Sequence, residues 1–413
     1  MTDYSEGDLV KVTKDGREYS GIVMPSRSDK IVLKLKSGYN VGLSLDHTTV
    51  ELLERASPPP KPARREHPHK KGLPNVSILS TGGTIASRVD YRTGAVSSQF
   101  TADDILDAIP ELTDIANFNG KVLSMIFSED MDTTTWQNLA RACHEEIKNG
   151  SDGIIVTHGT DTMSYTAAAL SFMIRSPVPI VLVGAQRSSD RPSSDNAMNM
   201  LCAAAVATSD MAGVTVVMHG ETSDDFCHVH RGTKVRKLHT SMRTAFQSVN
   251  VAPIARVDYA TRSITKITDY PKRGELELRL ADGIEPRCAL LKFYPGMAPD
   301  IIDYYREKGY RGIVLEGTGL GHVSTKWIPT IKKAAKEMAF VMASQCINGR
   351  ICDRVYSTGI DLLKAGVIEG EDMLPEVALV KLMWALGQTR DMGEVKKIMC
   401  TDYAGEIQWR STV

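Results

Sequence analysis

Three short stretches of this sequence hold the residue types that acyl chemistry needs. The first is Ser80-Thr81-Gly82-Gly83-Thr84-Ile85-Ala86. Paired glycines let a backbone turn sharply, so that a hydroxyl and neighbouring N–H groups can face a ligand. A hydroxyl held there can attack an acyl carbon once a neighbour removes its proton. The same residues also read as an ordinary Gly-rich strand-to-helix turn or as a phosphate cradle, although the G-x-x-x-x-G-K-[ST] spacing of a Walker loop is absent. The second stretch, Thr157-His158-Gly159-Thr160-Asp161-Thr162, sets a hydroxyl beside a carboxylate. Thr and Asp are also common helix caps. His158 follows an apolar strand and is expected to be an orienting, hydrogen-bonded core histidine rather than a general base. The third, Arg231-Gly-Thr-Lys-Val-Arg-Lys237-Leu-His239-Thr240, offers a lysine. A lysine close to an acid and a hydroxyl can have a lowered pKa and accept a proton. The charge pattern alone favours a solvated basic loop.

The elements around these stretches set where they sit. From Asn75 the texture is strand alternating with helix: Val76–Ser80, Gly153–Thr157, Pro179–Val183 and Gly213–Met218 read as strands. Between them lie helical segments over 164–174 and 196–207, and one capped by Asp132 or Thr133, with Trp136, Leu139, Ala140, Cys143 and Ile147 at 3.6-residue spacing. Thr101-Ala-Asp-Asp104 resembles a capping box. Alternation of this kind predicts a parallel sheet covered on both faces. In such sheets ligands gather at the carboxyl ends of the strands, where the first two stretches fall. A polar segment over 269–287 reads as a linker. A second α/β section follows, with Cys288–Tyr294 and Gly312–Leu315 as strands, helix 324–338 and a helical stretch from Pro375.

The N-terminal 55 residues differ. Asp8–Thr13, Gly21–Met24, Lys30–Leu35 and Tyr39–Leu43 read as short strands, with Asp15-Gly16 as a tight turn, the pattern of a small all-β, SH3-like barrel. Residues 56–74 are Pro-rich and basic, an extended solvated linker with RNA phosphates as the alternative contact.

Composition bounds the rest. The 413 residues carry a formal net charge of -1, which argues against general attraction to nucleic acid or membrane surfaces. Seven cysteines, an odd number without a C-x-x-C pair, argue against a disulfide framework or zinc site and for reduced thiols. No secretory leader or membrane-spanning run is legible, so a cytoplasmic location is expected.

Taken together and in this order, Thr-Gly-Gly-Thr-Ile-Ala, His-Gly-Thr-Asp-Thr and Val183-Gly-Ala-Gln-Arg187 resemble the bacterial-type asparaginase/glutaminase family from about residue 75 to the C-terminus. The resemblance implies a two-domain α/β body, 75–268 and 288–413. It also implies Thr84 as nucleophile, Tyr91 as an active-site tyrosine, and Thr160, Asp161 and Lys237 as a second catalytic group. Ser128, Glu129, Gly83 and Ala185 fall at substrate-binding positions. Glu129 stands where many relatives have Gln, adding negative charge opposite a substrate amino group. No metal or organic cofactor is implied for amide hydrolysis by this chain.

The small β-domain and basic linker ahead of that body are similar to those of the D subunits of archaeal glutamyl-tRNA(Gln) amidotransferases. That likeness implies ammonia release from Gln or Asn for a partner, the amidotransferase E subunit, which uses ATP and Mg and contacts most of the Glu-tRNA(Gln). A homodimeric core and a heterotetramer are implied as well. The alternatives are a free-standing cytosolic asparaginase or glutaminase, an RNA-binding scaffold that lost the chemistry, and an α/β protein binding a sugar or nucleotide.

Overall fold

The computed structural model describes residues 4–26, 29–37, 40–56, 69–83, 88–89, 96–97, 102–187 and 193–410. The chain divides into two compact units, and the N-terminal sheet belongs to the smaller. Its strands are β1 (Leu9–Lys14), β2 (Arg17–Met24), β3 (Lys30–Leu35), β4 (Asn40–Ser44) and β5 (Thr48–Glu54), antiparallel in the order β4-β3-β2-β1-β5. Alternation puts Val10, Val12, Val23, Ile31, Leu33 and Leu43 on one face, where they form a small core. Asp15 and Gly16 both take positive φ, +50° and +73°, and join Lys14 to Arg17. This is the backbone a two-residue hairpin turn requires. Strand β5 was not among the expected elements. Its Thr-Thr-Val-Glu-Leu-Leu-Glu run is polar, and its side chains are at most half-buried.

The larger unit opens with β6 (Asn75–Gly82), whose last seven residues are buried. The two-residue strands β7 (Arg88–Val89) and β8 (Val96–Ser97), which belong to the smaller unit, pair with each other. Helix α1 (Ala102–Ala108) leads to β9 (Asn117–Ile126), α2 (Thr133–Lys148) and β10 (Gly153–Thr157). Thr101, in the expected capping box, lies outside the described residues. Asp132 is the cap of α2, its carboxylate accepting the Thr135 N–H at 2.7 Å. Then follow α3 (Met163–Met173), β11 (Ile174–Arg175), β12 (Pro179–Val183), α4 (Asn196–Ala207), β13 (Gly213–His219) and β14 (Phe226–Arg231). The hairpin β15 (Val235–Lys237) and β16 (Phe246–Ser248) precedes β17 (Ala255–Asp258) and β18 (Ile264–Lys266).

Eight of these strands form one sheet in the order β18-β17-β14-β13-β12-β10-β6-β9. The five from β13 to β9 are parallel, and β14, β17 and β18 extend the sheet antiparallel. The expected parallel sheet is therefore the central part of a mixed one. Within 269–287 the short strand β19 (Arg279–Leu280) pairs with β11.

A second, four-stranded parallel sheet is built from β20 (Cys288–Lys292), β21 (Gly312–Gly317), β22 (Ala339–Ser344) and β23 (Val367–Glu369). Helices α5 (Asp300–Glu307), α6 (Ile328–Ala334) and α7 (Ser357–Lys364) connect its strands. Helix α8 (Pro375–Gln388) precedes α9 (Met392–Met399) and joins the two sections. Val377, Val380 and Trp384 pack into the core around α3, while Ala378, Leu382 and Ala385 pack beneath the second sheet. A helix apolar on all sides is one enclosed on all sides.

One buried acid in the second section carries a prediction. Asp353 is fully buried, and neither carboxyl oxygen has a hydrogen-bond partner among the described residues. Burial, and then the Glu369 charge, pushes its pKa up to about 7. The folded chain then holds a proton up to pH 7 that the unfolded chain releases near 4. Stability from this group is present below the unfolded value and lost as pH rises through 7, about 4 kcal/mol for a shift of this size. Asp353→Asn should therefore stabilise the chain more at pH 8 than at pH 5, read as the difference in urea midpoint from the parent. An equal difference at both values would remove Asp353 from the pH dependence.

Candidate active site

The carboxyl ends of β6, β10 and β12, adjacent in the sheet, bring three of the sequence motifs together. Gly82 and Gly83 end β6 with φ of +108° and +89°. A methyl group added to Gly83 would lie 2.6 Å from the Gly159 nitrogen and 2.8 Å from the His158 carbonyl carbon. The Gly-Gly turn therefore rests directly on the His-Gly-Thr-Asp backbone, and any side chain at 83 would part them. Hydroxyls tie the strand ends as well. Thr81 donates to the Thr157 carbonyl at 3.0 Å, and Thr157 donates to Ser80 Oγ at 3.1 Å.

On one side of this junction stands Ser128, in a short helical turn over 128–130 after β9. It is buried against Gly159, where an added methyl would fall 2.7 Å from the Ser128 Cβ. Thr162 holds it by donating to the Ser128 carbonyl at 2.6 Å. Its neighbour Glu129 is exposed. On the other side, a methyl group added to Gly184 would lie 2.8 Å from the His158 carbonyl oxygen and 2.9 Å from Thr160 Cγ2, and Ala185 is buried.

His158 is the core histidine expected from the buried strand before it. Its Nδ1 lies 2.6 Å from the Gly159 carbonyl and its Nε2 2.8 Å from Thr166 Oγ1, which also accepts the Trp136 indole N–H at 3.0 Å. This network assigns the proton to Nδ1. Burial lowers the pKa to about 4. The ring is thus a neutral brace for the loop, not a base near neutral pH.

Lys237 decides what the loop can do. Its ammonium donates to Thr160 Oγ1 at 2.8 Å and to Asp161 Oδ1 at 2.6 Å. The lysine side chain is 12% exposed, against 68% for Asp161. Lys237 ends β15, which Val235 anchors in the core and which pairs with β16 through Lys237 and Phe246. The solvated-loop reading of this stretch is overturned. Lys234 is fully buried, bound to Asp372, and Arg236 lies 3.5 Å from Glu376. An amine one hydrogen bond from a hydroxyl can pass a proton along it without either group moving, which is the geometry of general acid–base catalysis. Thr84 and Tyr91 lie outside the described residues.

The sequence reading missed Asp195. It stands one residue before α4, where an aspartate reads as a helix cap, yet it makes no capping bond. Instead the buried carboxylate accepts the N–H groups of Gln186 at 3.0 and 3.1 Å and of Arg187 at 3.0 Å, and an Asn199 amide N–H at 2.9 Å. It fixes the loop that carries Ala185. The only sequence signal was an acid eight residues past Arg187, the last residue of the Val-Gly-Ala-Gln-Arg motif.

Comparison with known proteins agrees with this geometry. Residues 75–269 match the family description "Asparaginase, N-terminal", 287–399 match "Glutaminase/Asparaginase C-terminal domain", and 4–53 match "GatD N-terminal domain". The chain is 62% identical to the glutamyl-tRNA(Gln) amidotransferase D subunit of Methanosarcina barkeri, over 98% of both chains. It is 55% identical to the D subunit from Archaeoglobus fulgidus, over 99% of this chain and 96% of that one. Among solved structures it resembles the thermostable L-asparaginase from Thermococcus kodakarensis, with a TM-score of 0.74 and 34% identity over 81% of this chain and 99% of that one.

Proposed function

Since the chain belongs to the family of glutamyl-tRNA(Gln) amidotransferase D subunits, with an asparaginase-type body, we propose that it releases ammonia from glutamine, or asparagine, through Thr84. The observation that carries this reading is the Lys237–Thr160–Asp161 cluster, with bonds of 2.8 and 2.6 Å, beside the Gly83 turn that leads to Thr84. Thr84 Oγ attacks the side-chain amide carbon, and its proton leaves through Tyr91 or the Thr160–Lys237 pair. Backbone N–H groups near the Gly82-Gly83 turn face the developing oxyanion. The C–N bond breaks, the nitrogen takes a proton and departs as ammonia, and water then hydrolyses the ester on Thr84. Ser128 and Glu129 hold the substrate's α-carboxylate and α-amino groups. The exposed Glu129 supplies the negative charge that an ammonium prefers.

In this reading the ammonia serves a partner, the amidotransferase E subunit, that activates the glutamate of Glu-tRNA(Gln) with ATP and Mg. The net charge of -1 fits a division of labour in which the partner holds most of the tRNA. A homodimeric core within a cytoplasmic heterotetramer completes it. Among the described residues no helix is long and apolar enough to cross a membrane.

The test is ammonia release from glutamine by the purified chain, with and without its partner and mischarged Glu-tRNA. Stimulation of at least tenfold by the two together is expected. Equal and high rates in every mixture would make the chain a free amidohydrolase.

A further inference from the structure

A cavity of about 800 Å³ opens in the larger unit at the opposite end of the sheet from the candidate active site. Its walls include β11 and residues 213–215 at the amino end of β13, whereas the catalytic motifs sit at the carboxyl ends. A five-residue strand such as β12 separates the two ends by about 17 Å. The size is that of a site for one small organic molecule.

The wall has an unbalanced charge. Arg175, Arg231 and Arg279 line it against a single carboxylate, Asp402. Among the described residues none of the three arginines has an acidic group within ion-pair distance. Arg231 is partly buried, and among the described residues its guanidinium has one hydrogen bond, to the Asp269 carbonyl at 3.0 Å. Burial lowers the pKa of this guanidinium, and Asp402 and Glu406 oppose that shift from beyond contact. A desolvated guanidinium without a paired counter-charge is costly, and a bound anion removes that cost. Beside it, the Thr215 hydroxyl is buried, with the residue 2% exposed, and has no hydrogen-bond partner among the described residues. Buried hydroxyls are nearly always satisfied, so this one, on a residue of the cavity wall, is an exception.

Part of the wall is aromatic. Trp384 stacks on Phe172 with ring centroids 5.8 Å apart and meets the edge of the half-exposed Tyr403 at 5.3 Å. Its indole N–H is already used by the Ala281 carbonyl. Of this tryptophan only the ring face and edge are therefore left for a ligand to meet. Cationic forks beside aromatic faces suit a planar ring joined to a phosphate.

We propose that this cavity is a second ligand site, distinct from the amidase centre, that binds a nucleoside phosphate, either free or as the terminal residue of an RNA. The arginines take the phosphate, the Trp384–Tyr403 wall takes the base, and Thr215 bonds a sugar or phosphate oxygen.

The experiment titrates the full chain, alone and with its partner, with AMP, inorganic phosphate and a trinucleotide RNA, following Trp fluorescence and equilibrium dialysis. Saturable AMP binding at least tenfold tighter than phosphate is expected, and Arg279→Gln and Thr215→Val should each weaken it about tenfold. Both substitutions leave the catalytic motifs untouched, so unchanged ammonia release verifies folding and separates this test from that of the amidase reading. Tighter binding of the trinucleotide assigns the site to an RNA end, and equal or weaker binding assigns it to a free nucleotide. The proposal is overturned if neither nucleotide binds at millimolar concentration, if the variants bind as the parent does, or if the partner abolishes binding, which would make the cavity a protein interface.

Discussion

Ammonia release from glutamine is expected to fall about 10²- to 10⁴-fold when Lys237 becomes methionine, a change that keeps most of the apolar stem and removes the amine. Lys237 is the group that joins Thr160 to Asp161, at 2.8 and 2.6 Å, so the substitution breaks the proton path at its centre. The loss should appear in kcat with little change in KM, because the amine touches the Thr160 hydroxyl rather than the positions assigned to the substrate's α-groups. Thr84→Ala should remove the covalent route altogether. In the Lys237 variant a covalent ester can still form, slowly. Asp161→Asn should cost less than either, since a carboxylate 68% exposed to water is well screened. Rapid-quench measurement of the ester and of steady-state ammonia checks all three. A Lys237→Met enzyme with parental kcat would place proton transfer elsewhere.

The second large effect concerns stability. Lys234 and Asp372 form an ion pair at 2.6 Å with side-chain exposures of 0% and 1%. It spans the two α/β sections, from the segment after β14 to the loop after β23. Asp372 also receives the Gln408 N–H at 2.9 Å, and its carbonyl accepts from Lys234 at 3.1 Å and from Asn250 at 3.2 Å. Burial pulls the Lys234 pKa down, while Asp372 opposes that shift. Lys234→Met leaves the carboxylate buried without a counter-charge and should cost about 3–5 kcal/mol. The double change Lys234→Met with Asp372→Leu should recover much of that, because burying the pair was itself expensive. Urea unfolding of the two variants is the measurement. A double variant no more stable than the single would show that the neighbouring backbone bonds, not the charges, set the cost.

Much of the site can be read along the chain because its parts are local. Gly82-Gly83 at a strand end demands a turn that only glycine makes easily, and the two positive φ angles sit there. The buried strand 153–157 predicts a buried His158, and burial alone makes that ring neutral. The N-terminal hairpin follows from Asp15-Gly16 in the same way. Strand β5 escaped because a half-exposed strand needs few apolar residues. The antiparallel strands β14, β17 and β18 escaped because their short runs resemble the turns between them.

The sequence by itself determined the alternation of strand and helix that builds the parallel part of the sheet, the turn at Gly82-Gly83, the hydroxyl–carboxylate pair Thr160-Asp161 and, through resemblance, the family. These are properties of neighbours in the chain, set by local backbone freedom and hydrophobic period. Tertiary structure alone decided three further matters. It brought Lys237 to Thr160, 77 residues away, and removed it from water. It turned Asp195 from a helix cap into the anchor of the Ala185 loop. It also left Arg231 partly buried on a cavity wall with no counter-ion in contact among the described residues. The physical reason is common to all three: what a charged side chain does depends on which groups exclude water from it, and those groups lie far away in sequence.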